Sequence, residues 1–280
     1  MGAAPPPKKR LGQCFLIDHN IVRKIVAAAA LRPHEPALEI GPGRGILTRA
    51  LCKQARRVLA IEVDRSLGAT LEEVLAGCTN VEIHFGDALD YPYEGLAPGT
   101  VVVANLPYNI SSPLLFRLLE AHRQIDRMVL MLQTEVARRL VARPGTKDYG
   151  ILSVLTQYRA VPSLAFHVSA SCFRPRPAVG STVVVLSVSR EPAVSVTDEP
   201  LFIRVVRASF AHRRKTLVNS LRDEGFPSER IMPALEAAGI EPTKRAESLA
   251  IAQFAALANA LAEGMRHETR GERSDSFPSS

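Results

Sequence analysis

From residue 37 to residue 132 the chain alternates short apolar runs with stretches of helical periodicity, and this rhythm narrows the possible folds more than any other feature. Residues 37–40, 57–62, 81–85, 101–104 and 128–132 read as strands. Helical spacing fills 46–54, 67–75, 113–122 and 134–142, and Pro113 stands at a first-turn position, where its missing N–H is no loss. A β-α-β-α order predicts an α/β class with a mostly parallel, doubly wound, Rossmann-like sheet. Two later runs, 164–168 and 182–188, read as a hairpin-like edge that closes the sheet. A helix over 21–30 precedes it, with Asp18 as a candidate N-cap and Pro33 just past its end.

Beyond a polar stretch with two prolines, residues 187–200, the periodicity is helical only: 201–210, 215–221, 228–238 and 251–262. The expected layout is a disordered tail over 1–9, a Rossmann-like domain over 10–189, a small C-terminal all-helical domain over 198–266 and a second tail over 267–280. A chain of 280 residues that is 46% hydrophobic can bury both cores. No apolar stretch approaches the roughly 18 residues of a membrane span. Residues 1–10 are Pro-rich and then basic, unlike a secretory signal. Cys14, Cys52, Cys78 and Cys172 form no C-x-x-C pair, which argues against a zinc ribbon or redox motif and for reduced thiols in the cytoplasm. A net charge of +7 favours a polyanionic partner.

The first strand runs into Gly41-Pro42-Gly43-Arg44-Gly45. Glycines let a backbone approach a ligand closely, and the following helix start offers free N–H groups. Glu62 closes the second strand, where an acid pairs with ribose hydroxyls. The spacing G-x-G-x-G is not that of dinucleotide binders, and Pro42 removes an N–H that a pyrophosphate would want. These features weigh against a nicotinamide oxidoreductase and for a nucleoside cofactor without phosphates, S-adenosylmethionine. Asp87, after the third strand, can accept from an adenine amine. Glu39 faces either the Gly-loop backbone or the cofactor's amine, and Asp64 either contacts cofactor or caps its own loop.

The fourth strand ends in Asn105-Leu106-Pro107-Tyr108. An amide oxygen that accepts an N–H, a rigid turn and an aromatic ring for stacking are what modification of a base's exocyclic amine requires. Gly41, Glu62, Asp87 and Asn105 thus occupy four successive strand ends, the usual ligand edge of an open α/β sheet.

With these residues in view, the chain resembles the small-subunit ribosomal RNA adenine N6-dimethyltransferases of the KsgA/RsmA type, from about Lys9 to Leu261. The segment from Lys9 to Leu16 looks like the family's N-terminal signature, which implies that Cys14 and Leu16 neighbour the cofactor; the family usually has His or Asn where Cys14 stands. The resemblance implies Gly41 near the methionine end, Glu62 on the ribose, Asp87 on the adenine, and Asn105, Pro107 and Tyr108 as the catalytic loop. The segment from Phe173 to Ser181 resembles the family's F-x-P-x-P-x-V-x-S element, so Phe173 is expected as the second wall of the base slot. The sequences Phe210 to Leu217 and Arg245 to Leu249 resemble the family's helical domain and set the chain apart from the large-subunit adenine methyltransferases; Arg213, Arg214 and Lys215 are the expected phosphate contacts. Dimethylation of two adjacent adenosines in the 3′-terminal hairpin loop of 16S rRNA, within an immature 30S particle, by a cytoplasmic monomer that needs no metal, is what the family implies. A large-subunit enzyme or an assembly factor with a binding role are the alternatives.

Overall fold

The computed structural model describes residues 5–212 and 214–271. Its strands are β1 (Phe15–Leu16), β2 (Pro36–Ile40), β3 (Arg57–Glu62), β4 (Val81–Phe85), β5 (Thr100–Asn105), β6 (Ile125–Gln133), β7 (Ala160–Val168), β8 (Phe173–Arg174) and β9 (Ser181–Val188). Its helices are α1 (His19–Ala29), α2 (Ile46–Leu51), α3 (Gly68–Leu75), α4 (Ser111–Glu120), α5 (Thr134–Val141), α6 (Ile151–Arg159), α7 (Glu199–Phe210), α8 (Leu217–Asp223), α9 (Ser228–Ala237) and α10 (Ile251–Gly271). The chain divides into two compact units: one takes in the chain up to Val141 and again Arg159–Glu191, the other Ala142–Tyr158 and the chain from Pro192 onward.

The first unit holds a seven-stranded sheet in the order β4-β3-β2-β5-β6-β9-β7. The strands β4, β3, β2, β5 and β6 are mutually parallel; β9 runs antiparallel to β6, and β7 antiparallel to β9. Val101, Val102, Val103 and Ala104 of β5 are all buried, as a parallel strand covered on both faces requires. At the far edge β7 tolerates Pro162, whose missing N–H would interrupt an inner strand.

Helix α1 buries Ile21, Val22, Ile25, Val26 and Ala29 among residues of β2, β5 and β6. Each of the Ile and Val side chains contributes about 1.5–3 kcal/mol. Asp18 caps α1 by accepting the N–H groups of Asn20 and Ile21. At the other end Arg127 donates to the carbonyls of Ala29 (2.7 Å) and Ala30 (2.9 Å) and to both carboxylate oxygens of Glu35 (2.9 and 2.6 Å). A guanidinium there satisfies carbonyls that the helix leaves without partners.

The second unit is helical. Phe202 and Phe254 are fully buried with Leu217, Leu221, Ile231 and Leu235, and Asp198 caps α7 by accepting the Leu201 N–H at 2.9 Å. This unit includes α6, which lies inside the span 10–189 that the sequence assigns to the first domain. The sequence reading gives residues 151–159 no element, because apolar residues stand on most sides of this helix and Ser153 and Thr156 are also buried. No amphipathic stripe exists there to be seen. Helix α10 continues to Gly271, past the expected boundary at 266, whereas 1–4 and 272–280 of the expected tails lie outside the described residues. None of the described helices is long and apolar enough to cross a membrane.

Candidate active site

The parallel register sets the site. Ile40 of β2 lies opposite Ile61 of β3 and Ala104 of β5, and Glu62 lies opposite Phe85 of β4. The next residues along each strand are therefore Gly41, Glu62, Gly86-Asp87 and Asn105, side by side at one edge. They line a single cavity with Pro42, Gly43, Arg44, Glu39, Pro107, Tyr108 and the segment Leu11 to Leu16. The cavity opens to solvent, and the empty space counted out to its mouth is about 1210 Å³.

Gly43 shows why the loop is glycine-rich. Its φ is +59°, and a Cβ there would sit 2.9 Å from the Phe15 ring. Phe15 closes onto the loop, and the Arg44 guanidinium covers its ring at 4.7 Å. Glu62 is buried at 4% exposure; its Oε2 accepts the Gly43 N–H at 3.1 Å and its Oε1 the Asp64 N–H at 2.8 Å. Burial raises its pKa, and these two N–H groups work against the rise. Each oxygen keeps a second lone pair for a ribose hydroxyl. Asp87 is exposed and caps its own turn through the Leu89 N–H at 2.9 Å, engaging Oδ1 only.

Glu39 is 1% exposed and its Oε2 has no hydrogen-bond partner. Burial pushes its carboxyl up to about 8; Thr48 works the other way and Glu62 adds to the rise. Three acids, Glu39, Glu62 and Asp87, line the cavity, against one described cation, Arg44. Acceptors outnumber cations in this lining, which suits the hydroxyls and amines of a nucleoside cofactor better than phosphates, and Glu39, which burial keeps protonated at neutral pH, presents a carboxyl group with Oε2 unpartnered.

Asn105 donates from Nδ2 to the Cys14 carbonyl at 3.2 Å. This fixes the amide's orientation and leaves Oδ1 with no donor among the described residues. Tyr108 is anchored at its tip, its hydroxyl 2.7 Å from Ser181 Oγ. The Pro107 carbonyl accepts the Ile110 N–H at 3.2 Å and keeps one lone pair. Leu16 is buried at the cavity wall, and Cys14 is half-buried, its thiol pushed up by burial.

Phe173 does not reach the cavity and so, as placed, cannot form the expected second wall. Its ring has no exposed surface: β8 pairs with β1, Leu16 opposite Phe173, and the ring packs into the core with Ile21 and Val168. The expected disordered tail also needs correction. Lys8 is held by Asp64 at 2.5 Å, because a buried carboxylate requires a counter-charge. Gln13, Lys8 and Ser181 are the site's neighbours that the sequence reading did not single out for a role; Gln13 carried a signal as part of the N-terminal signature and Ser181 as the last residue of the F-x-P-x-P-x-V-x-S element, whereas Lys8 carried none. Of the basic run, Arg213 lies outside the described residues, Arg214 is exposed, and Lys215 pairs with Asp223. No cluster of three or more potential metal ligands occurs among the described residues.

The family model for ribosomal RNA adenine dimethylases matches residues 6–263. A ribosomal RNA small subunit methyltransferase A from Moorella thermoacetica is 47% identical over 266 residues, covering 91% of this chain and 92% of the relative. Among solved structures, a dimethyladenosine transferase from Plasmodium falciparum superposes with a TM-score of 0.75 at 27% identity, over 92% of this chain and 98% of that one. The 23S rRNA methyltransferase ErmE superposes with a TM-score of 0.67 at 30% identity, over 89% and 99% of the two chains. A strand-end site for a nucleoside cofactor and a family match along nearly the whole described chain lead to one conclusion: the protein belongs to the ribosomal RNA adenine dimethylase family.

Proposed function

We propose that the protein is an S-adenosylmethionine-dependent adenine N6-dimethyltransferase of small-subunit rRNA, acting on two adjacent adenosines of the 3′-terminal hairpin loop. The observation that carries this reading is the Asn105 amide, locked by the Cys14 carbonyl so that Oδ1 is left to accept. The lone pair of an adenine N6 is delocalised into the ring and is a poor nucleophile. Oδ1 of Asn105 and the free lone pair of the Pro107 carbonyl accept the two amine hydrogens and localise that pair, which is catalysis by orientation. Tyr108, anchored on Ser181, offers a face to the extruded base, worth about 1–3 kcal/mol. Gly41, Glu62, Asp87, Leu16 and the Cys14 backbone hold the cofactor, which when bound supplies the electrophilic methyl. The N6 proton leaves to water once the methyl is on. Because Phe173 is buried here, the second wall of the slot is a shifted Phe173 or the RNA itself.

We further propose a cytoplasmic monomer whose substrate is an immature 30S particle, with exposed arginines such as Arg174 and Arg214 on phosphates. The test is incubation with unmethylated small and large subunits and methyl-labelled cofactor, followed by mapping of modified nucleotides. Label on N6 of adjacent adenosines near the small-subunit 3′ end is expected. Label in large-subunit rRNA would favour the ErmE-like alternative, and binding to particles without transfer would favour an assembly factor.

A further inference from the structure

The cavity wall Leu11 to Leu16 is far in sequence from the strand ends it faces, so its position depends on fastenings. Two have been described: β1 on β8, and the Cys14 carbonyl on Asn105. The third is the densest. Gln13 donates Nε2 to Asp64 Oδ2 at 2.9 Å. Lys8 Nζ donates to Asp64 Oδ1 at 2.5 Å and to Ser66 Oγ at 2.9 Å, while the Lys8 N–H donates to Gln13 Oε1 at 2.7 Å. Asp64 also accepts from the N–H and hydroxyl of its neighbour Ser66 (3.1 and 2.6 Å). The carboxylate is only 4% exposed. Burial works to raise its pKa, but Lys8, Ser66 and Gln13 outweigh burial and hold it below the usual range, so it is charged at neutral pH. Asp64 stands two residues beyond Glu62 and donates its own N–H to Glu62 Oε1. One short step of chain therefore links the acid proposed for the ribose to the anchor of the opposite wall.

We infer that Asp64 is a positioning residue for cofactor retention: through Gln13 and Lys8 it latches the N-terminal segment across the cavity, and this latch opens when cofactor exchanges. The inference rests on the reading of the cavity as an S-adenosylmethionine site. A ligand behind a latched wall leaves no faster than the wall opens, so weakening the latch raises the release rate and leaves the base-binding groups in place. The distinction from a purely structural role lies in donor–acceptor polarity, because Asp64 only accepts and Gln13 Nε2 only donates. Exchanging the two roles in Asp64→Asn with Gln13→Glu restores a complementary pair.

The experiment measures affinity and release rate of S-adenosylhomocysteine on the full chain, trypsin cleavage after the exposed Arg10, and kcat at saturating cofactor. Asp64→Asn should weaken binding by about tenfold or more, the loss expected for one or two charged hydrogen bonds, chiefly through release. It should speed cleavage at Arg10 and change kcat by less than about threefold, raising KM instead. The double variant should recover most of the affinity. Wild-type release and cleavage rates in Asp64→Asn would overturn the inference, as would a loss that the double variant does not repair. If Asp64→Asn fails to fold by circular dichroism, Lys8→Met decides on the same readouts, with faster release expected and an unchanged rate refuting. Failure of the wild type itself to bind S-adenosylhomocysteine would instead sink the cofactor reading.

Discussion

Glu39 makes the stability of this protein depend on pH in a direction opposite to most carboxylates. Its ordinary value of 4.5 is pushed up to about 8 by burial, with Glu62 adding to the rise. Between those two values the folded state keeps a proton that the unfolded state has lost. Stability is therefore undiminished below pH 4.5, falls as pH rises across the window, and levels off above about 8. One pKa unit corresponds to about 1.4 kcal/mol, so roughly 3 kcal/mol is gone by pH 7 and about 5 at the end of the window. Glu39→Gln keeps the shape and removes the titration. Urea unfolding of both proteins at about pH 5, 6.5 and 8 measures the effect, read as the change with pH in the difference between them, so that any fixed cost of burying the amide cancels. The variant should gain on the wild type by about 1 kcal/mol or more per pH unit. A difference that stays constant from pH 5 to 8 would refute the account: Glu39 would then be solvated or paired in a way that its burial and unpartnered Oε2 do not allow.

Asn105→Ala removes the acceptor for N6 and should abolish methyl transfer while S-adenosylhomocysteine binds within about threefold of wild type; equal loss of both would make Asn105 a structural residue. Glu62→Ala should weaken cofactor binding by about tenfold or more, measured by calorimetry, and unchanged affinity would remove it from the ribose. Glu35 is held down to about 2, chiefly by Arg127; the stability it confers is full above pH 4.5 and lost as pH falls through about 2. Glu35→Gln should thus lower the melting temperature at pH 7, by about 1–3 kcal/mol in stability, but not near pH 2.

The strand ends were legible because each is an apolar run stopped by a residue of another kind: Gly41 after Ile40, Gly86 after Phe85, Asn105 after Ala104. A parallel sheet puts such stops at one edge whatever the details of packing. What the sequence could not show depends on contacts between remote segments. Strand β1 has two residues and pairs with β8 more than 150 positions away, too short and too distant for a periodic signal, and that pairing is what turns Phe173 into the core. Lys8 reads as part of a Pro-rich tail until Asp64 is known to be buried. Helix α6 hides because it is covered on several sides. Ser181, at the start of β9, was visible as the last residue of the F-x-P-x-P-x-V-x-S element, but not its hydroxyl contact with Tyr108, 73 positions away.

The same remote contacts bear on position 14, where the resemblance leads one to expect His or Asn and the chain has Cys. The group that orients Asn105 is the carbonyl of Cys14, which every residue possesses. What that contact requires is a backbone path that brings the carbonyl to the amide, and this path is set by Gly12 at φ +63° and by Phe15 closing on Gly43. Side-chain identity at 14 is then constrained by packing, and a half-buried thiol beside the apolar core satisfies that constraint. A change at Gly12 should therefore damage the catalytic amide more than a change at Cys14. Gly12→Ala places a Cβ 3.1 Å from Asn109 Oδ1 in a left-handed backbone, at a cost of about 1 kcal/mol or more. It should lower kcat, whereas Cys14→Asn should leave kcat within about threefold. The reverse order, with Cys14→Asn the more harmful, would show that the thiol itself takes part, and that the amide is not oriented by the backbone alone.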